Sequence, residues 1–138
     1  MKSQNKNYEK EAVAFYRSEK IAVLSTISKK YEGYPLGSFV TYVSGWDRTI
    51  FLYLSDIADH TKNLKTNHKS CITIFKKNEF GDIQNSARLT LIGDLKKLKA
   101  RCTKHAKIGS ITFYPRIRLM SKCMISIFTR FLLLKQDG

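Results

Sequence analysis

Hydrophobic and polar residues alternate with two different periods along the first hundred positions of the chain. Residues 7–18 place Ala12, Val13, Phe15 and Tyr16 among charged residues, a spacing that predicts a short amphipathic helix. Five later segments are rich in β-branched and aromatic residues and are bounded by turn residues, which predicts strands. These predicted strands cover residues 20–28, 34–43, 49–54, 70–75 and 87–92, the last of them continuing to residue 98.

The corner after the third predicted strand carries the clearest local signals for a binding site. Three residues there are favoured helix N-caps: Ser55, Asp56 and Asp59. They predict a helix that starts near Ala58 and ends at Thr66. Its first turn would hold His60, Thr61 and Lys62 beside backbone N–H groups without intrahelical partners, an arrangement that can bind a phosphate. An ordinary capped helix accounts for the same residues, and both interpretations stand at this point.

Two strand positions depart from a plain strand pattern. Pro35 and Gly37 near the start of the second strand imply a sheet edge, a bulge or a close approach by another group. Arg88 is a lone charge inside an apolar strand. Such an arginine usually points to solvent, yet Arg88 shares a strand face with Thr90 and Ile92, so a ligand contact is the alternative.

Several short strands with only two helices predict a mainly β fold, a small barrel or an α+β sheet, rather than a βαβ array. The 138 residues are enough for one domain with a buried core. After residue 100 the pattern degrades, because residues 101–110 have no clear period and residues 111–134 mix apolar and basic residues without alternation. We therefore predict a core domain over residues 1–100 and a divergent tail over residues 101–138. Within the tail, residues 128–134 predict either a terminal strand or a disordered apolar segment.

The chain is strongly basic, with 25 Lys and Arg, 11 Asp and Glu and a net charge of +14. Residues 1–100 hold 17 basic and 10 acidic residues, whereas residues 101–138 hold 8 and 1, so the tail carries half of the excess charge. Such a charge brings nucleic acids and anionic membranes into consideration as partners. No zinc-finger spacing or RNP-like motif accompanies it, which argues against specific nucleic-acid recognition. No apolar run reaches the roughly 18 residues that cross a membrane.

Cysteine use and the first residues predict a cytoplasmic protein. Cys71, Cys102 and Cys123 are widely spaced and form no C-x-x-C pair, which predicts a reducing compartment and no metal site. The amino-terminal residues are polar and lack the apolar region of a signal peptide. Neither His68 nor His105 has partners at metal-ligand spacing. No Ser-His-Asp or paired-carboxylate arrangement emerges, so no catalytic residue is identified.

The chain also carries three motif-like blocks, Gly33-Tyr34-Pro35-x-Gly37-Ser38-x-Val40-x-Tyr42, Leu54-Ser55-Asp56-Ile57-Ala58-x-His60-Thr61-x-Asn63-Leu64 and Gly81-Asp82-Ile83-Gln84-x-x-Ala87-Arg88-Leu89-Thr90-Leu91-x-Gly93. In this order and spacing they resemble the FMN-binding split-barrel superfamily, and within it the haem-utilisation (HugZ-like) branch related to pyridoxamine 5′-phosphate oxidases. The resemblance covers residues 11–98. It implies a homodimer of six-stranded split barrels with a flavin at the dimer interface.

The resemblance implies cofactor roles for residues of two segments. In such proteins the second strand and the strand-to-helix corner hold the FMN phosphate and ribityl chain, and a polar residue lies near the flavin ring. The implied cofactor-binding residues are Ser38, Val40 and Tyr42 on the strand, Ser55, His60 and Thr61 at the corner, and Arg88 near the ring. Where pyridoxamine-phosphate oxidases place two basic residues, this chain has Asp59 and His60. The phosphate would then depend on His60, Thr61, Lys62 and backbone N–H groups, which argues against true pyridoxamine-phosphate oxidase activity.

The tail departs from the same family. Members of the haem-utilisation branch oxidise and open a bound haem, and after the fifth strand they usually continue into a helix and then a segment resembling Met-His-Asp-Phe-x-Phe-Tyr, which this chain lacks. Back-translation of residues 122–129 with a shift of one base gives Met or Val, then His or Tyr, then Asp, and it can continue as Phe-Tyr-Phe-Tyr. We therefore predict that the tail is read out of frame, with a genuinely divergent tail as the alternative.

Three functions follow from these observations. The first is an FMN-binding split-barrel protein, either a flavin-dependent oxidoreductase or haem oxygenase-like enzyme, or the remnant of one. The second is a non-catalytic protein that binds flavin or haem. The third is a basic nucleic-acid-binding β-domain. For the first two we expect a homodimer with a small-molecule cofactor or haem, without a specific nucleic acid and without a membrane.

Overall fold

A computed structural model describes residues 2–45, 48–97 and 123–128, with side chains over residues 8–45 and 48–97. The helices are α1 (Lys2–Ser18) and α2 (Asp59–Thr66), and a 3₁₀ turn covers Ile83–Asn85. The strands are β1 (Ile21–Ile27), β2 (Pro35–Ser44), β3 (Ile50–Ser55), β4 (Lys69–Lys76), β5 (Ala87–Lys97) and β6 (Cys123–Phe128).

The six strands form a closed antiparallel barrel in the order β1-β2-β3-β6-β5-β4. Two long strands are shared between its halves. Residues 35–41 of β2 pair with β1 and residues 42–44 pair with β3. Residues 87–94 of β5 pair with β4 and residues 95–97 pair with β6. This arrangement confirms the predicted mainly β split barrel. It also confirms the edge prediction for Pro35 and Gly37, because their part of β2 pairs with β1 alone among the described strands.

The barrel interior follows from the period-two alternation of the strands. Alternate residues of β1, β2, β4 and β5 point inward, and β3 is buried almost throughout. Among the strand side chains that the structure describes, the fully buried apolar ones are Ala22, Leu24, Ile50, Leu52, Leu54, Ile72, Ile74, Leu91 and Leu95. Burying one such leucine or isoleucine contributes about 1.5–3 kcal/mol to stability, so this interior provides most of the driving force for folding.

The two helices cover opposite ends of the barrel. At one end α1 packs Ala12, Val13 and Phe15 against the core, and the Tyr42 hydroxyl donates a hydrogen bond to the Tyr16 carbonyl oxygen at 2.7 Å. At the other end α2 connects β3 to β4, which lie opposite each other in the strand order. Leu64 of α2 is buried in the core. The position of α2 across this end places its first turn beside the end of β3.

Element boundaries agree with the predicted ones to within two residues for all five predicted strands. The first helix starts at Lys2 rather than at residue 7, and the second starts at Asp59. The 3₁₀ turn occupies a segment predicted as a loop. The strand Cys123–Phe128 lies inside the predicted tail and pairs with both β3 and β5. The predictions for residues 101–122 and 129–138 lie outside the described residues.

Candidate functional site

The corner between β3 and α2 is closed by backbone groups rather than by side chains. The N–H of Ala58 donates to the carbonyl oxygen of Ser55 at 3.2 Å, and Ala58 is the N-cap residue of α2. No side chain caps the helix. The prediction that Ser55, Asp56 or Asp59 would cap it is therefore wrong. Because of this backbone turn, the helix starts at Asp59, one position after the predicted start at Ala58. Ala58, which has no side-chain acceptor, is therefore the N-cap residue.

An uncapped first turn leaves donors for an external acceptor. Helix geometry gives the N–H groups of Asp59 and His60 no intrahelical partner, whereas the N–H groups of Thr61 and Lys62 both donate to the Ala58 carbonyl oxygen at 3.1 Å. The helix dipole adds a partial positive charge at this end. Two backbone N–H groups and a positive helix end form an anion-binding arrangement. The Asp59 carboxylate competes with a bound anion for the same positive end.

Thr61 adds a polar group that no protein atom satisfies. Its side chain is 0% exposed, and its Oγ1 atom is buried without a hydrogen-bond partner. A buried hydroxyl without a partner costs about 1–3 kcal/mol, so such a group usually has a function or a further partner. The residue types and their placement fit a ligand with an anionic group at the first turn of α2.

His60 is half-buried beside this turn. Burial lowers the pKa of His60 below its usual value, and the nearby Asp59 carboxylate raises it by a smaller amount. At neutral pH the imidazole is therefore uncharged. In that state it offers a bound anion one N–H donor but no full positive charge.

The lysines of α2 are engaged with carboxylates of the same corner. Lys62 Nζ lies 3.2 Å from Asp59 Oδ1, and Lys65 Nζ lies 3.3 Å from Asp56 Oδ1. Both pairs are at least partly exposed, and such pairs add little stability. Lys62 was predicted to contact the phosphate. Its pairing with Asp59 reduces the positive charge that it can present to an anion.

The predicted cofactor residues of β2 have different environments. Ser38, Val40 and Tyr42 share the inward face of the strand, but only Ser38 is partly exposed. Val40 and Tyr42 lie in the core, and burial raises the pKa of the Tyr42 phenol. The side chains of Val40 and Tyr42 therefore form the wall behind a site, while Ser38 is the one that can face a ligand.

Arg88 lies far from the α2 corner within one protomer. It stands on the outer face of β5 opposite Phe75 of β4, whereas Lys69, which follows α2, pairs with Asp94 six residues further along β5. Six residues of strand span about 20 Å. One chain therefore brings Ser55, His60 and Thr61 together but leaves Arg88 at the other end of the sheet.

The outer face of β1, β2, β4 and β5 carries exposed apolar side chains among polar and charged ones. Five large apolar side chains on it are between 37% and 70% exposed: Ile21, Ile27, Phe39, Phe75 and Ile92. Small residues lie between them, with Ser25 paired to both Gly37 and Cys71 in the register. A groove of about 430 Å³ crosses this face near the α2 end of the sheet, with Ile27, Pro35, Lys69 and Asp94 among the residues along it.

Asn63 is a buried polar residue that sequence reasoning missed. Its Nδ2 donates to Thr26 Oγ1 at 3.0 Å, and its Oδ1 accepts from the backbone N–H of Lys29 at 2.9 Å. An asparagine within a short helix is most often a surface or turn residue. The available signal is its place between Thr61 and Leu64, which are the other buried residues of α2.

The described residues contain neither a metal-binding cluster nor a membrane-spanning helix. No group of three or more His, Cys, Asp or Glu side chains there could hold a metal ion. No described helix is long and apolar enough to cross a membrane.

Comparison with known proteins places this geometry in a family context. A family model described as "Pyridoxamine 5′-phosphate oxidase" matches residues 8–118 of the chain. Among curated proteins, the chloroplastic non-canonical heme oxygenase HOZ of Arabidopsis thaliana is 42% identical over 72 residues, which make up 52% of this chain and 22% of that protein.

Two solved structures share the fold. A heme binding protein from Mycobacterium smegmatis has a TM-score of 0.68 at 25% identity, over 86% of this chain and 49% of that chain. HutZ, the heme storage protein from Vibrio cholerae, has a TM-score of 0.67 at 18% identity, over 91% of this chain and 92% of that chain. The chain thus spans less than two-thirds of the plant relative and of the mycobacterial protein.

Proposed function

Because the chain belongs to the pyridoxamine 5′-phosphate oxidase family, we propose that it binds FMN through the first turn of α2 and acts as a flavin-dependent oxidoreductase or is the remnant of one. The observation that carries the proposal is this turn, which has no side-chain cap and holds the buried, unpartnered hydroxyl of Thr61. FMN when bound supplies electron-transfer chemistry, and the protein supplies binding and orientation.

The residues of the corner would bind the phosphate as follows. The N–H groups of Asp59 and His60 donate to it from the helix end, and the Thr61 hydroxyl and the neutral His60 imidazole add side-chain donors. Ser55 lies exposed at the end of β3 beside the same turn and adds a hydroxyl. Ser38 faces the ribityl chain from β2. Val40 and Tyr42, which the family resemblance also implies, support this strand from the core.

A homodimer would explain how Arg88 takes part in the site, although in one chain it lies far from the α2 corner. Monomeric proteins seldom expose many large apolar side chains on one sheet face, and the outer face has five of them. Pairing two copies through this face buries those side chains. It also lets Arg88 of one copy contact a flavin ring held by the other. Light scattering would then give twice the protomer mass of 15.9 kDa.

Haem is a second candidate ligand, favoured by the groove on the outer face. Apolar residues such as Ile27, Pro35 and Ile92 line the groove, and Lys69 lies along it. A flat apolar ring suits the apolar part of this groove, and Lys69 can pair with a propionate, although its register partner Asp94 brings a carboxylate to the same end. The plant relative, 42% identical over 72 residues, is a non-canonical heme oxygenase. In this case the protein is a haem oxygenase-like enzyme or a non-catalytic haem-binding protein.

Absorbance titration of the purified protein with FMN, riboflavin and haem separates these functions. The first proposal predicts FMN binding about tenfold or more tighter than riboflavin, because the two differ by the phosphate. Equal affinities for FMN and riboflavin would show that the protein does not contact the phosphate. A haem Soret band without flavin binding supports the second candidate. If neither flavin nor haem binds, both candidates fail, and salt-dependent retention on DNA or RNA would then support the nucleic-acid alternative.

The tail remains a separate proposal. The shifted reading frame spells the family segment over residues 122–129. In the present frame, the same part of the chain forms the strand Cys123–Phe128. We keep the proposal that residues 101–138 are read out of frame. A cytoplasmic location likewise remains our prediction from cysteine use.

A further inference from the structure

At the α2 corner, the acidic Asp59 stands where pyridoxamine-phosphate oxidases have a basic residue. A positive charge for the bound phosphate can come from another segment of this chain. We infer that Asn63 and Lys29 complete the anion site: the Asn63 carboxamide holds the turn between β1 and β2 against α2, and Lys29 of this turn contacts the bound phosphate. This inference rests on the proposed function, since it assigns residues to the same phosphate site. Asn63 is in this account a positioning residue and Lys29 a binding residue.

Asn63 joins three elements through one buried side chain. The residue is 3% exposed, and both ends of its carboxamide are used. The Nδ2 donates to Thr26 near the end of β1 at 3.0 Å, and the Oδ1 accepts the N–H of Lys29 at 2.9 Å. Because Thr26 is 1% exposed, water does not replace these contacts readily. The distance between α2 and the β1–β2 turn is thus determined by this side chain.

The β1–β2 turn is itself well ordered by hydrogen bonds. The N–H of Ser28 donates to the Tyr34 carbonyl oxygen at 2.9 Å, and the Ser28 hydroxyl accepts from the N–H of Tyr31 at 2.9 Å. Gly33 has a φ of 80°, a left-handed conformation that favours glycine. A turn held in this way presents Lys29 from a fixed backbone position, which lowers the entropy that binding would cost.

The hydrogen bond from the Lys29 N–H to Asn63 Oδ1 places this turn beside α2, about one helical turn after the first residue of the helix. Asn63 lies four residues after Asp59, which is about 6 Å along a helix axis. The four-carbon side chain of lysine covers a similar length. The Lys29 ammonium can therefore reach the positive end of α2 from its bonded position.

Lys29 is also the lysine of this region whose charge is available. Lys62 and Lys65 are paired with carboxylates of the corner, and Lys30 Nζ lies 5.0 Å from the centre of the Tyr31 ring. Within the part of the chain that the structure describes, the Lys29 ammonium makes no ion pair. Lys30 is a matched control, because it is the next residue of the same turn and is also exposed.

FMN titration of the full chain, followed by flavin fluorescence, tests the inference. Lys29→Gln should raise the Kd for FMN about tenfold and leave riboflavin binding unchanged, as expected for loss of a charge-assisted contact to phosphate. Lys30→Gln should change the Kd less than about twofold. Equal effects of Lys29→Gln and Lys30→Gln would overturn the inference. If the wild-type chain binds FMN no better than riboflavin, the proposed function fails as well, so the two failures are distinguishable.

A double-mutant cycle tests the positioning role of Asn63. If Asn63 acts by placing Lys29, then Lys29→Gln should change FMN affinity less than about twofold in an Asn63→Ala background, because the lysine is already displaced. Additive effects would show that Asn63 acts on stability alone. Should Asn63→Ala fail to fold, Asn63→Ser serves in the same cycle, and the comparison of Lys29→Gln with Lys30→Gln decides the binding role on its own.

Discussion

Replacement of threonine by the isosteric valine should change stability in opposite directions at two buried positions, Thr61 in α2 and Thr26 in β1. Thr61 is 0% exposed and its Oγ1 has no hydrogen-bond partner, whereas Thr26 is 1% exposed and its Oγ1 accepts from Asn63 at 3.0 Å. An unsatisfied buried hydroxyl costs about 1–3 kcal/mol. Thr61→Val removes that cost, so we expect the free energy of unfolding of the ligand-free protein to rise by about 1 kcal/mol. Thr26→Val should lower it by about 1–3 kcal/mol, because it leaves the Asn63 donor unpaired.

Urea denaturation followed by circular dichroism measures both changes, and a shift of 1 kcal/mol corresponds to about 3–5 °C in Tm for a domain of this size. FMN affinity should move in the opposite direction for Thr61→Val, falling about tenfold, because the lost hydroxyl is a phosphate donor. Thr61→Ser is the matched control. It keeps the donor and the affinity, while the lost methyl group lowers stability by about 0.8 kcal/mol.

Two results would refute this reasoning. If Thr61→Val destabilises the protein as much as Thr26→Val, the Thr61 hydroxyl has a structural partner. If Thr61→Val stabilises the protein but leaves FMN affinity unchanged, the hydroxyl is unsatisfied for a reason other than ligand binding.

The remaining predictions concern pH, assembly and the reading frame. Because burial lowers the pKa of His60, the ligand-free protein should lose stability as pH falls below about 6.5, where the unfolded state takes up the proton first. Bound phosphate favours protonated His60, so FMN affinity should rise more steeply on acidification in the wild type than in His60→Gln. Equal pH dependence of FMN affinity in the two proteins would show that His60 does not contact the phosphate. Phe39→Lys on the outer sheet face should give monomers by light scattering, whereas Phe80→Lys on the β4–β5 loop should not; a persistent dimer in Phe39→Lys contradicts the proposed interface. Sequencing the gene should show a shifted frame free of stops across codons 101–138; a stop or a missing family segment refutes the frameshift.

The sequence predicted the strands well because they are determined by local pattern. In β1 and β4, apolar residues at alternate positions are bounded by polar turns, and each of these strands ends within one residue of its predicted boundary. The helix start at the corner was less predictable. Ser55, Asp56 and Asp59 all have good capping side chains, but the hydrogen bond from the Ala58 N–H to the Ser55 carbonyl oxygen makes Ala58 the cap.

The candidate site was predictable only where its residues are neighbours in sequence. Ser55, His60 and Thr61 lie in one corner, as predicted. The separation of Arg88 from them depends on strand register, and register is set by pairings between distant segments. Asn63 was missed for the same reason, since its partners Thr26 and Lys29 precede it by more than thirty residues. Its role depends on the packing of α2 against the barrel.

The central claim is that the first turn of α2 binds the phosphate of FMN. The most direct measurement is ¹H–¹⁵N NMR of the labelled protein during titration with FMN, riboflavin and inorganic phosphate. The amide signals of Asp59 and His60 should shift with FMN and with inorganic phosphate but not with riboflavin. Unchanged Asp59 and His60 amides at saturating FMN would contradict it.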